Sequence, residues 1–213
     1  IIPEFMLHLS VIEWMLVEQN ETETKVVEPT PEVVPENKTR GFWRDMLETI
    51  LMAVVLFLLL NAVTSRVRVY NVSMQPTLHE GNLLVVNKLA YKLGEPKRGD
   101  IIVFHYQGTL TEDYIKRVIG LPGDTIDIGG GVVRVNGQAI TEPYIAELPG
   151  YTGTWKVPEG ELFVLGDNRN RSSDSHDWGF VKQEWVVGKA ILVYWPLDDI
   201  RVLTNMDLVH AEP

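Results

Sequence analysis

Two segments hold residue types that could do chemistry together: Ser73-Met74-Gln75-Pro76-Thr77-Leu78 and, some forty residues later, Tyr114-Ile115-Lys116-Arg117. The first offers a hydroxyl just before a proline turn, and the second sets a lysine in an apolar run. An amine among apolar neighbours is disfavoured as the ammonium ion, so its pKa falls. A neutral amine beside a serine can take the hydroxyl proton, which is the chemistry of a serine–lysine hydrolase. Each residue also has a plainer reading. A serine before Met-x-Pro is commonly a turn residue, and Thr77 and Ser65 offer equal hydroxyls. Strand alternation places Lys116 on one face with Tyr114 and Val118, and Arg117 on the other with Ile115 and Ile119. Both faces are apolar, so at least one charge is pressed against apolar surface, unless Lys116 snorkels to water. On the residues alone both readings of Lys116 stand.

A third segment, Gly166-Asp-Asn-Arg-Asn-Arg-Ser-Ser-Asp-Ser-His-Asp-Trp-Gly179, is dense in side chains that bond to backbone or to one another. Composition makes it an exposed loop, while the strand-like run before it and the Trp178-Gly179 stop suggest more order. Other chemistries are absent: no Ser-x-x-Lys, no Gly-x-Ser-x-Gly and no Walker loop occurs. The glycines at 129–131 do not have dinucleotide-loop spacing, and the five histidines read as surface or turn residues without metal-ligand spacing. With no cysteine in the chain there is no thiolate nucleophile and no disulfide. The net charge is −10, half of it in residues 1–40. An acidic chain without a basic stripe argues against nucleic acid as the partner.

Several elements would have to position these residues. Residues 1–40 combine a short apolar stretch with a Glu-, Thr- and Pro-rich linker that reads as disordered. Residues 46–63 are an apolar run; at helical rise they span roughly 27 Å, close to a bilayer's hydrocarbon core. Trp43 and Tyr70 flank it like interface anchors. We therefore expect a transmembrane anchor over 41–65, retained because no small-x-small cleavage site follows it. Lys38, Arg40 and Arg44 before it, against Arg66 and Arg68 after it, lean toward a cytoplasmic N-terminus. From residue 66 onward short strands and turns dominate: 66–70, 83–86, 100–105, 113–119, 161–165 and 186–195. A hairpin is expected about Gly129-Gly130-Gly131, and a second tight turn at Asn136-Gly137. The fold class is thus mainly β: an antiparallel β-sheet domain over 66–200, with a small β cap over 125–160, preceded by one N-terminal transmembrane helix and followed by a tail at 201–213.

Ser-Met-x-Pro-Thr-Leu, Tyr-Ile-Lys-Arg-Val-Ile-Gly-Leu-Pro-Gly-Asp and Gly-Asp-Asn-Arg-x-x-Ser-x-Asp-Ser-x-x-Trp-Gly, in this order after one hydrophobic segment, resemble the bacterial type I signal peptidases. The likeness covers residues 42 to about 196. It implies a serine endopeptidase in the plasma membrane, single-pass, with its catalytic domain on the extracytoplasmic side. Such enzymes cut the signal peptide from exported preproteins after a small-x-small site such as Ala-x-Ala, with no metal or organic cofactor. By this likeness Ser73 is the nucleophile and Lys116 the general base. Ser172 matches the serine that orients the lysine, and Asp174 the aspartate that braces the site. Met74, Leu78, Tyr114 and Ile115 match substrate-pocket positions, although apolar residues beside catalytic ones are usually packing. Two positions depart from the pattern. Asn71 stands where many members have the serine or glycine of the oxyanion hole, and its amide could donate there. His176 stands where arginine is usual, so a pair with Asp174 would be charged only at lower pH.

Two other readings accompany this one. A related serine–lysine peptidase that cuts its own chain, like the SOS-response repressors, would be soluble and carry a DNA-binding domain; the hydrophobic segment and acidic N-terminus oppose it. A membrane-anchored β-domain that only binds partners is opposed by the intact Ser73 and Lys116.

Overall fold

The structure, a computed structural model, describes residues 38–108 and 112–204. The acidic N-terminal stretch through residue 37 and the tail from 205 lie outside the described residues. The chain divides within its first helix, after Leu51, into two units.

Helix α1 is Lys38–Val63. Its stretch Gly41–Val63 is long and apolar enough to cross a membrane, at about 34 Å by helical rise, and residues 41–62 are exposed. The helix stops at Val63, two residues short of the expected 65, and no loop follows it. Lys88 N donates to Val63 O, and β1 (Thr64–Arg68) pairs at once with β2 (Leu83–Asn87), beginning at Thr64 opposite Asn87. The strand expected at 66–70 is therefore shifted two residues toward the helix. Val69 belongs instead to a tight return, its N–H donating to Asn82 O and its carbonyl accepting from Gly81 N.

The remaining strands are β3 (Ile101–His105), β4 (Asp113–Gly120), β5 (Thr125–Gly129), β6 (Val132–Val135), β7 (Gln138–Ala139), β8 (Gly153–Lys156), β9 (Glu161–Leu165), β10 (Val181–Lys182), β11 (Val186–Trp195) and β12 (Arg201–Val202). They form two antiparallel sheets. The larger runs β1-β2-β11-β3-β4-β9-β10, with β12 also on β11; the smaller runs β7-β6-β5-β8. The hairpin about Gly129–Gly131 joins β5 to β6. The turn from β6 to β7 uses Asn136 at φ 54° and Gly137 at φ 84°, the left-handed region that a two-residue hairpin requires. Between them, the two-residue strands and Gly153–Lys156 carry too little alternation to be read from sequence alone.

Three apolar clusters hold the sheets. Ile126, Ile128, Val133 and Val135 of the small sheet pack with Ile119, Phe163 and Leu165 of the large one. Met74, Leu78, Leu84, Ile101, Ala190 and Val193 form a second cluster, against which Ile115 packs. Ile102, Phe104, Val118, Leu162 and Val164 form the third, joined by Tyr114 and Trp178. Strand β4 contributes to all three, so the alternation expected for it is realised with apolar packing on both faces.

Candidate active site

Lys116 lies mid-way along β4, opposite Ile102 of β3. Its amine is 2.9 Å from Ser73 Oγ. Both Lys116 and Arg117 are buried, at 4% and 1% exposure: the lysine does not snorkel, and neither charge reaches water. Arg117 is neutralised by Asp167, to which Nε and a terminal nitrogen donate at 2.8 and 2.7 Å, and its third arm donates to Gly99 O at 2.9 Å. Among the described residues Lys116 has no such fork. Burial lowers its pKa to about 8, and the nearby charges of Asp174 and Asp167 oppose that fall.

Ser73 sits on the turn between β1 and β2. Its carbonyl accepts from Asn168 N at 3.0 Å, while Asn168 Nδ2 donates to Val72 O at 3.1 Å. The nucleophile turn is thus pinned by the loop that follows β9. Gly166 opens that loop, and a Cβ there would overlap Ser172 Oγ and the Ser73 carbonyl. Only a glycine allows the two segments to close to this distance. Arg169, buried in the same loop, forks onto Glu142 at 2.7 and 2.5 Å, and Asn170 Oδ1 accepts from Gly150 N at 2.8 Å. The arm 140–152 between β7 and β8 therefore clamps the loop from the cap side. Tyr144 of that arm lies over the Arg117 guanidinium at 3.9 Å.

A cleft of about 260 Å³ opens over the pair, walled by Tyr70, Asn71, Ser73, Met74, Tyr114 and Ile115, with Lys116 in its floor. Asn71, Met74, Tyr114 and Ile115 are brought together with the dyad. Leu78 is not in the wall; it is wholly buried and packs with Met74 in the second cluster. Ser172 is buried, and its Oγ has no hydrogen-bond partner among the described residues. It reaches the site through Gly166 rather than through a bond to the lysine. Asp174, fully buried, accepts from Gly166 N at 2.8 Å. It also caps the short helix α2 (Ser175–Trp178) through His176 N. The His176–Asp174 pair is formed, at 2.6 Å. The hydrogen bond to Asp174 raises the His176 pKa above its ordinary value, against the effect of burial.

Sequence reasoning did not find the Arg117–Asp167 pair, the Glu142–Arg169 clamp or Tyr144. The first left a trace: two adjacent charges on opposite faces of an apolar strand need a carboxylate partner when both faces are covered. The others are long-range contacts without local signature.

Residues 43–195 match the family described as signal peptidase, peptidase S26. A signal peptidase I of Leptolyngbya laminosa is 40% identical over 190 residues, covering 82% of this chain and 94% of that protein. A probable signal peptidase I-1 of a Synechocystis species is 43% identical over 179 residues, covering 80% and 91%. A signal peptidase I of Bacillus caldolyticus is 48% identical over 139 residues, covering 58% and 75%. The chain belongs to the signal peptidase family of S26 peptidases. It is thus a type I signal peptidase, a hydrolase that removes signal peptides.

Proposed function

We propose that Ser73 is the nucleophile and Lys116 the general base of this hydrolase, acting at the membrane on preproteins cut after a small-x-small site such as Ala-x-Ala. The observation that carries the reading is the 2.9 Å approach of a buried amine to the Ser73 hydroxyl. Neutral Lys116 takes the Oγ proton as Oγ adds to the scissile carbonyl. The resulting ammonium donates its proton to the departing main-chain nitrogen, leaving the signal peptide as an acyl ester on Ser73. Lys116, neutral again, draws a proton from water, the hydroxide adds to the ester, and the Ser73 oxygen leaves reprotonated.

The tetrahedral oxyanion is held by the Ser73 N–H and by the side-chain amide of Asn71, which lines the cleft. Removing one such donor typically costs about 2.7–4 kcal/mol in the barrier. Asn71→Ala should thus lower kcat by roughly a hundredfold or more, and a loss under about threefold rejects the role. Met74, Tyr114 and Ile115 wall the pocket against large side chains, with Leu78 backing Met74. Ser172 and Asp174 orient the lysine, Ser172 by filling the space beside Gly166 and Asp174 by its charge. The exposed apolar helix anchors the chain in the plasma membrane with the β-domain on the extracytoplasmic side; bilayer and preprotein are the partners, and nucleic acid is not.

Cleavage of a preprotein in trans tests the reading. Ser73→Ala and Lys116→Ala should each abolish turnover. Wild-type kcat/KM should rise with pH through an acid limb near 8, where Lys116 loses its proton. Retained turnover in either variant rejects the dyad. Failure of a hydroxyl-directed acylating probe to label Ser73 in folded protein would favour the binding-only domain.

A further inference from the structure

Asp174 meets four groups, one of them the His176 backbone N–H that it caps. One oxygen accepts from Gly166 N at 2.8 Å, and the other lies 2.6 Å from His176 Nδ1. Gly166 packs against the Ser73 carbonyl, so the Gly166 bond sets the carboxylate beside the dyad, where its charge also acts on the Lys116 amine. A wholly buried carboxylate needs a compensating charge. Arg117 is already committed to Asp167, and Lys116 cannot supply that charge while acting as a base. The imidazole of His176 remains. Its far nitrogen lies 3.1 Å from Asp177 Oδ1, and its ring lies flat on Tyr151 of the cap-side arm, centroids 3.8 Å apart and planes within 7°. Asp174 and Asp177 of its own segment and Tyr151 from the arm are thus the titratable groups that face it. Arg169 and Glu142, paired with each other, act on Tyr151 from beyond.

We propose that His176 is a positioning residue that supplies the counter-charge of Asp174 and so governs how strongly that carboxylate holds the proton on Lys116. The inference rests on Lys116 as the base. Protonated, His176 neutralises Asp174 and frees the amine from its pull. Neutral, it returns that pull to Lys116. The two cations therefore oppose each other: as pH rises and the imidazole loses its proton, Lys116 is held in its charged form to higher pH. Wild-type activity should rise over a broader pH span than a single ionisation. His176→Arg fixes the positive charge and can still stack on Tyr151. His176→Gln removes the charge.

The test is kcat/KM for preprotein cleavage by the full chain in lipid vesicles, over roughly pH 6–10, for wild type, His176→Arg, His176→Gln and Lys116→Ala. It is paired with an NMR titration of His176 in wild type and Lys116→Met. The arginine variant should show its acid limb roughly half a pH unit below that of the glutamine variant, with wild type spread between them. By reciprocity of the coupling, Lys116→Met should raise the His176 pKa by a similar amount. Superimposable limbs for the two His176 variants, or a His176 titration unmoved by Lys116→Met, overturn the proposal. A uniform loss of kcat without a shifted limb also overturns it, because that marks a purely structural role. Turnover retained in Lys116→Ala rejects the dyad instead, and the NMR titration still decides the coupling.

Discussion

A lysine at 4% exposure without an ion-pair fork of its own costs the fold stability that an apolar residue would not. Its pKa of about 8 in the folded state lies below the ordinary value near 10.4. The unfolded chain therefore binds more protons, and stability rises with pH between those two values. Lys116→Met should stabilise the protein at pH 7 by on the order of 2–3 kcal/mol while abolishing cleavage. Denaturant unfolding of both proteins checks this, and the gap should close as pH climbs from about 8 toward 10.4. A gap that stays constant with pH means that the gain came from packing and not from the buried amine. Arg117, one residue on, behaves oppositely: its charge is matched by Asp167, so Arg117→Ala strands a buried carboxylate and should cost about 3–5 kcal/mol.

The loop 166–179 and the arm 140–152 act as one unit, because Glu142, Gly150 and Tyr151 of the arm each grip a loop residue. Glu142→Gln leaves the buried Arg169 without its carboxylate. We expect a stability loss of roughly 3 kcal/mol and a fall in kcat larger than any change in KM, since the loop that pins Ser73 is loosened while the cleft wall from β4 is untouched. Thermal unfolding with steady-state kinetics measures both, and an unchanged kcat would separate the clamp from the site. This arm carries little local sequence signal. Strands β4, β9 and β11 and the β5–β6 hairpin were legible because alternation or a glycine turn marks them locally. Ser73 and Lys116 are legible as a candidate pair from residue type, and the ordered motifs single them out. The clamp was not, because Glu142 and Arg169 are 27 residues apart and nothing near either announces a partner. Thr64 and Ser65 fall within the expected anchor, yet pairing with Asn87 and Val86 draws them into β1.

At the scale of the whole chain, Gly41–Val63 presents apolar side chains around its circumference, a surface that water disfavours and hydrocarbon accepts. The full chain should remain with vesicles through an alkaline wash. Protease added outside right-side-out vesicles should digest the β-domain, and release into the supernatant would refute the anchor. Ser73 and Lys116 lie 43 residues apart in sequence, on a turn and a strand that are each bonded to a third segment after β9, through Asn168 and Asp167. No stretch of this polypeptide is a protease by itself. Under the proposed dyad, cleavage needs all three segments closed at once, so a copy in which any one of them is open cuts nothing.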